Sequence, residues 1–193
     1  MPRWKECDMN ELVPLFMESG LLQFGIFSAE AAPYQLNMEL LPAYPDILAA
    51  VAAQAVPLVT EMSRLVCLPD SLPLGVALAL RTQVPLVYSR GSGAAPVHDL
   101  VGAYDIGHAA ALVVNVFDDQ TDHLPFIAGT RQVGLNIQMI VAVVAVGEVE
   151  SAQVIPVHSL LRLESVIEHL AADGQMPRDH MRVMQQWLNL RQG

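Results

Sequence analysis

An almost unbroken apolar stretch from Ala109 to Phe117 constrains the fold of this chain more than any other feature. Apolar residues fill consecutive positions there, rather than every second position, so both faces of the predicted strand must be buried. A second stretch of this kind runs from Asn136 to Val146. Strands buried on both faces are typical of parallel sheets that are covered by helices.

Helical and strand patterns alternate along the rest of the chain, which is the order that βαβ units produce. Helices are predicted at residues 10–19, 45–63, 71–82, 124–133, 163–172 and 177–190, and strands at residues 65–68, 84–88, 109–117, 136–146 and 153–157. No internal repeat or linker divides the 193 residues. The sequence therefore predicts a single α/β domain, 1–193, with a three-layer, doubly wound and mostly parallel sheet.

The composition excludes several classes of function. Twenty acidic residues against ten basic ones give a net charge of −10, which argues against binding to nucleic acid or to an anionic membrane. No apolar run approaches the roughly 20 residues of a membrane-spanning helix, and the first thirty residues do not resemble a signal peptide. Cys7 and Cys67 form no metal-binding pair or disulfide framework, so we expect reduced thiols in a cytoplasmic protein.

Carboxylates crowd the turn that directly follows the first long strand, with Asp118, Asp119 and Asp122 preceding His123. In an open α/β sheet this position is the ligand site, where free N–H groups of the next helix favour anions. Three carboxylates would instead repel a phosphate. They are compatible with a metal site or with a solvated turn in which an Asp caps the next helix. The capping preference of Asp favours the second alternative, so no metal site is predicted.

Several segments, read in order, resemble the orotate phosphoribosyltransferases, which are type I phosphoribosyltransferases of pyrimidine synthesis. The matching segments are Leu22–Phe27, Pro33–Asn37, Leu72–Leu80, Val84–Arg90 and Val154–Leu161. The resemblance implies a type I phosphoribosyltransferase fold with an N-terminal hood at about 1–45, a core at 46–160 and C-terminal helices at 161–193. It also implies a homodimer.

The same resemblance indicates that charged groups of the family are missing. Where the family has a lysine that binds the diphosphate of phosphoribosyl diphosphate, this chain has Glu30. The family's mobile loop carries lysines and a histidine, whereas Gly91–Pro96 contains no base, which leaves Arg90 and His98 beside it. The family arginine that pairs with the orotate carboxylate falls near Glu148.

The phosphoribosyl signature of the family is also altered. It consists of an apolar strand, a Glu-Asp pair, two spacer residues and Thr-Thr-Gly-Gly. Here Asn115 stands at the first acid, and the phosphate loop aligns with Asp119–Asp122, in which Thr121 retains a hydroxyl. The diphosphate turn after the first core strand reads Leu68–Ser71 and gains a carboxylate at Asp70.

We therefore predict an orotate phosphoribosyltransferase-like protein that has lost phosphoribosyl diphosphate-dependent catalysis and acts as a binding or regulatory protein for an unknown small molecule or cation. No cofactor is expected. The alternative is an active phosphoribosyltransferase of pyrimidine nucleotide synthesis or salvage, with an altered site and magnesium. The candidate pocket residues are Asn115, Asp118, Asp119, Gln120, Thr121 and Asp122, together with Glu30, Tyr34, Asn37, Asp70, Ser71, Arg90 and Glu148.

Overall fold

The computed structural model describes residues 9–25, 27, 32–91, 99–118, 121, 123–147, 155–176 and 178–191. Its N-terminal part consists of helix α1 (Met9–Glu18), a hairpin of β1 (Leu22–Phe24) and β2 (Tyr34–Leu36), and a 3₁₀ helix (Met38–Ala43). The hairpin forms a sheet of its own, beside the main sheet.

The remaining elements alternate in type, as the sequence predicts. In chain order they are α2 (Pro45–Val59), β3 (Arg64–Cys67), a 3₁₀ turn (Pro69–Ser71), α3 (Leu72–Thr82), β4 (Leu86–Ser89), β5 (Leu100–Val101), β6 (His108–Asp118), α4 (Leu124–Gln132), β7 (Leu135–Val146), β8 (Val157–Arg162), α5 (Leu163–Ala172) and α6 (Arg178–Arg191).

The main sheet has six strands in the order β5-β4-β3-β6-β7-β8. All neighbours are parallel except β5, which is antiparallel to β4. The long strand β6 lies in the middle, and its Leu112 pairs with Val66 of β3 and with Ile140 of β7. The predicted mostly parallel α/β sheet is thus confirmed.

The strand order reverses between β3 and β6. From β3 the chain turns to β4 and the edge strand β5, and it then returns to β6 on the other side of β3. In doubly wound sheets such a reversal opens a crevice outside the carboxyl ends of the two strands, and ligands bind there. The topology therefore directs attention to Pro69–Ser71, which follows β3, and to the end of β6 at Asp118.

Two clusters of buried side chains form the core and correspond to the two faces of the sheet. The larger cluster joins strand residues such as Val113 to helices α1, α2, α3, α5 and α6. The smaller cluster packs Ile127 of α4 against Leu112 and Ile140. Helices on both faces of one sheet confirm the three-layer arrangement, and Met184 of α6 is buried in the core.

The prediction of the last strand was wrong in position. The sequence pattern placed this strand at 153–157, whereas β8 covers Val157–Arg162; residues 151–154 lie outside the described part. Pro156 explains the difference, because it has no N–H for a strand ladder. Its carbonyl accepts a hydrogen bond from Ile140 N (2.9 Å), and the strand begins at the next residue.

The short strands β1, β2 and β5 are additions to the predicted set, since two or three residues carry no periodic signal. Among the residues that the structure describes, none of the helices is both long and apolar enough to cross a membrane.

Helix α3 packs closely on β3 because Gly75 has no side chain. A Cβ atom on Gly75 would lie 2.2 Å from Sγ of Cys67 and 3.1 Å from Cδ1 of Leu86. Both neighbours belong to the sheet, and the Cys67 side chain is fully buried, so Cys67 has no free space to move into. This contact holds the start of α3 over the end of β3.

We expect Gly75→Ala to lower the free energy of unfolding by about 1–3 kcal/mol, because the added methyl group overpacks the contact with Cys67. Urea unfolding measures the change. The double variant Cys67→Ala/Gly75→Ala should recover part of the loss. Gly25→Ala is the control, since its Cβ would first meet the Phe27 ring at 3.6 Å, an ordinary contact. A Gly75→Ala protein as stable as the parent would contradict the packing argument.

Candidate ligand-binding site

Two buried side chains join the turn after β3 to the strand β6. The Ser71 hydroxyl donates to the Val113 carbonyl (2.7 Å), and Nδ2 of Asn115 donates to the Asp70 carbonyl (2.7 Å). Ser71 is fully buried and Asn115 is 4% exposed. The structure therefore brings three predicted site residues, Asp70, Ser71 and Asn115, into one place. We call this place, between Pro69–Ser71 and Asn115–Asp118, the switch-point crevice.

These hydrogen bonds use donors that an anionic ligand would otherwise need. The Ser71 hydroxyl has one hydrogen, and Val113 accepts it. One hydrogen of the Asn115 amide goes to Asp70 in the same way. The other polar atom of that amide, Oδ1, is buried and has no hydrogen-bond partner among the described residues. The crevice thus keeps an unused acceptor, while the Ser71 hydroxyl and one N–H of the Asn115 amide bind the protein itself.

Prolines further reduce the number of N–H donors at the two helix starts beside the crevice. Pro73 lies in the first turn of α3, and Pro125 lies in the first turn of α4. Pro69 occupies the 3₁₀ turn before α3. A helix N-terminus binds phosphate through its free N–H groups, and proline has none. Both first turns are therefore weaker anion sites than turns without proline.

The turn after β6 places a carboxylate and a hydroxyl at the same edge. Asp118 ends β6 and is half-buried, and its carbonyl accepts a hydrogen bond from Thr121 N (2.9 Å). Thr121 is exposed. The remaining predicted members of this turn, Asp119, Gln120 and Asp122, lie outside the described residues.

The N-cap prediction for α4 was wrong. The N-cap residue is His123, not an aspartate, and it makes no capping hydrogen bond through its side chain. The imidazole is instead buried and stacks on Phe117, with ring centroids 5.7 Å apart. Aromatic packing therefore determines this helix start. No sequence pattern predicts this contact, because the sequence separation of Phe117 and His123 does not distinguish stacked rings from separated ones.

A buried aspartate that the sequence analysis missed holds the end of β4. Oδ2 of Asp99 accepts hydrogen bonds from the Ser89 hydroxyl and from Gly91 N (2.9 Å), and the Asp99 carbonyl accepts one from Arg90 N (3.1 Å). Asp99 is 4% exposed. It joins the two sides of the segment that the family resemblance assigns to a mobile loop.

Arg90 is the basic residue that this arrangement fixes near the crevice. Its neighbour Gly91 has a φ of +70°, and a Cβ there would lie 2.8 Å from Cγ of Pro69. The end of β4 therefore touches the turn after β3. Arg90 itself is exposed.

The hood residues Tyr34 and Asn37 have packing and bridging contacts. The Tyr34 ring meets Trp187 of α6 edge to face, with centroids 5.0 Å apart. Nδ2 of Asn37 donates to the Gly20 carbonyl (2.8 Å), which ties the end of β2 to the end of α1. Glu30, His98 and Glu148 lie outside the described residues. In the part of the chain that is described, no three His, Cys, Asp or Glu side chains are grouped to hold a metal ion.

The Cys67 thiol lies beneath the crevice and is chemically protected. Burial raises its pKa from 9.0 to about 12; a hydrogen bond with Ser71 acts in the opposite direction, and the charge of Asp70 adds to the increase. A thiol with such a pKa is protonated at neutral pH and is a poor nucleophile. Its role is therefore to fill the space below Gly75.

Comparison with known proteins identifies the fold. No family model matches the sequence. The structure is similar to UMP synthase of Leishmania donovani, with a TM-score of 0.81 and 19% identity over 95% of this chain, which spans 42% of the length of that protein. It is also similar to the orotate phosphoribosyltransferases of Francisella tularensis and Aeropyrum pernix. The TM-scores are 0.66 and 0.64, each at 18% identity, over 91% and 83% of this chain and 96% and 98% of theirs. The chain therefore has an orotate phosphoribosyltransferase-like, type I phosphoribosyltransferase fold.

We expect Cys67 to resist alkylation in the folded protein. In a Cys7→Ser background, Ellman's reagent at pH 8 should label the protein only after unfolding in urea. Because folding raises the pKa of this thiol, its contribution to stability is complete below pH 9.0 and is lost as the pH rises toward about 12. The same background should thus lose stability above pH 9.0 relative to Cys7→Ser/Cys67→Ala. Rapid labelling of the native protein would contradict the assignment.

We expect Ser71→Ala to lower the free energy of unfolding by about 1–3 kcal/mol, since it leaves the buried Val113 carbonyl without this donor. Ser63→Ala is the matched control, because Ser63 is exposed at the opposite end of β3. Both changes are measured by urea unfolding. Equal stability of the two variants would show that the hydrogen bond to Val113 does not support the fold.

Proposed function

We propose that this chain binds a ligand other than phosphoribosyl diphosphate and does not catalyse phosphoribosyl transfer. The observation that carries the proposal is the use of the Ser71 and Asn115 donors in hydrogen bonds to protein carbonyls. Asp70 and Asp118 add two carboxylates to the edge where a diphosphate would bind. The fold of a phosphoribosyltransferase is retained, while the groups that attract its anionic substrate are replaced.

A comparison of the electrostatic energies with the free energy of binding supports this proposal. Two like charges about 4 Å apart repel by about 4 kcal/mol at an effective dielectric constant of 20, and each lost charged hydrogen bond removes about 1.5–3 kcal/mol. Binding at millimolar to micromolar concentration corresponds to only about 4–8 kcal/mol. Two unfavourable changes at one site are therefore enough to abolish useful affinity for phosphoribosyl diphosphate.

The sequence supplies further support outside the described residues. Glu30 and Glu148 stand where the resemblance places a lysine and an arginine, and Gly91–Pro96 has no basic residue. Each change alters the local charge in the same direction. The proposal includes a cytoplasmic homodimer, because the resemblance implies the dimer and the two cysteines of the chain are typical of a reducing compartment.

One observation favours the alternative of an active phosphoribosyltransferase with an altered site. Thr121 is exposed directly after β6, and its N–H closes a turn on the Asp118 carbonyl. A hydroxyl is thus present in the segment that aligns with the phosphate loop. Under this alternative, magnesium would accompany the diphosphate, and phosphoribose would be transferred to a base by in-line displacement.

We expect no heat of binding when phosphoribosyl diphosphate or orotate is titrated into the protein with magnesium, up to about 1 mM ligand, because carboxylates outnumber Arg90 at the described edge of the site. Isothermal titration calorimetry makes the measurement. A micromolar dissociation constant would overturn the proposal. Formation of a nucleotide from the two compounds that stops in Asp119→Ala would establish the alternative.

A further inference from the structure

Asn115 carries a buried acceptor atom, Oδ1, that no described residue uses. Nδ2 of this side chain donates to the Asp70 carbonyl, and Oδ1 belongs to the same planar amide group. Oδ1 therefore lies in the switch-point crevice as well. It is buried and has no partner among the described residues, and a buried polar atom without a partner costs about 1–3 kcal/mol. A ligand that donates a hydrogen bond to Oδ1 would remove this cost.

The groups around Oδ1 are also acceptors. Asp70 is exposed in the turn after β3, and Asp118 is half-buried at the end of β6. The Ser71 hydroxyl donates elsewhere, and Pro73 removes an N–H from the adjacent helix start. At the ends of β3, β4 and β6, the described charged side chains are these two carboxylates, the guanidinium of Arg90, and the carboxylate of Asp99, which accepts hydrogen bonds from Ser89 and Gly91. The crevice is therefore rich in acceptors and negative in charge.

This chemistry selects a positively charged hydrogen-bond donor, which is either a metal ion or an organic ammonium group. A metal ion needs several oxygen ligands converging on one point. Within the described residues no three His, Cys, Asp or Glu side chains converge in this way. An ammonium group carries several N–H donors, and a chain of such groups can pair with separate acceptors one at a time.

We propose that the switch-point crevice binds a small molecule with protonated amino groups, of the polyamine class. Asn115 Oδ1 accepts one N–H, and the carboxylates of Asp70 and Asp118 neutralise the positive charges. The proposal rests on the proposed function and deepens it, since it names the class of ligand that replaces phosphoribosyl diphosphate.

Spermidine is the probe, and calorimetry and thermal unfolding are the readouts. We expect spermidine to bind the parent protein and to raise its melting temperature by mass action, at ionic strength held constant with NaCl. Asp118→Asn and Asp70→Asn should each weaken binding about tenfold or more, because each replaces a charged acceptor of the ammonium N–H by a neutral one. Asp46→Asn is the matched control, since it makes the same change of charge on an exposed aspartate in the first turn of α2.

Three results would overturn the proposal. They are no binding of spermidine by the parent protein at about 10 mM, equal weakening in Asp46→Asn, and tighter binding of Mg²⁺ than of spermidine at the same ionic strength. Asn115→Val provides a second check, because it removes Oδ1; its folding is verified by circular dichroism, and retained affinity would also contradict the proposal. Titration with phosphoribosyl diphosphate separates the two proposals. Its binding overturns the proposed function, whereas failure of spermidine alone overturns only the ligand class.

Discussion

Two hydrogen bonds across the reversal point of the sheet determine how the rest of this molecule is arranged. Ser71 bonds to Val113 and Asn115 bonds to Asp70, so the turn after β3 is attached to the central strand β6. The close contact of Gly75 with Cys67 then fixes α3 on the same turn. In a doubly wound sheet this region is normally the open end where ligands enter. Here it is internally connected.

The fold and the chemistry of the switch-point crevice depend on different contacts. The core depends on apolar strands and on helices packed on both faces, and none of these contacts needs an anion in the crevice. Residues at the carboxyl edge can therefore change charge with little effect on the sheet. Asn115 stabilises the scaffold at this edge through its hydrogen bond to Asp70, and a similar backbone is compatible with different ligand chemistry.

The sequence predicts the long elements well, because continuous burial of β6 and β7 leaves a continuous apolar pattern. The ends of the elements are predicted less well. Pro156 moves the start of β8 to the next residue, and His123 is buried through a ring contact that no rule of sequence spacing predicts. The sequence points to a candidate site near Asn115 because this polar residue lies near the end of a strongly apolar strand. Its partner, the Asp70 carbonyl, is distant in sequence and belongs to the backbone, so no side-chain pattern indicates the bond.

The clamp that Asp99 forms at the end of β4 has a consequence for how this protein can change over time. Asp99 follows the segment 92–98, and its carboxylate accepts hydrogen bonds from Ser89 and Gly91, which precede that segment. The two ends of the segment are therefore held together by residues on either side of it. The closure entropy of a loop depends only weakly on its length. Changes in the number of residues between β4 and Asp99 thus alter the closure entropy by little. Segments of different length can therefore join β4 to β5 at little entropic cost, while the sheet on either side of the connection stays intact.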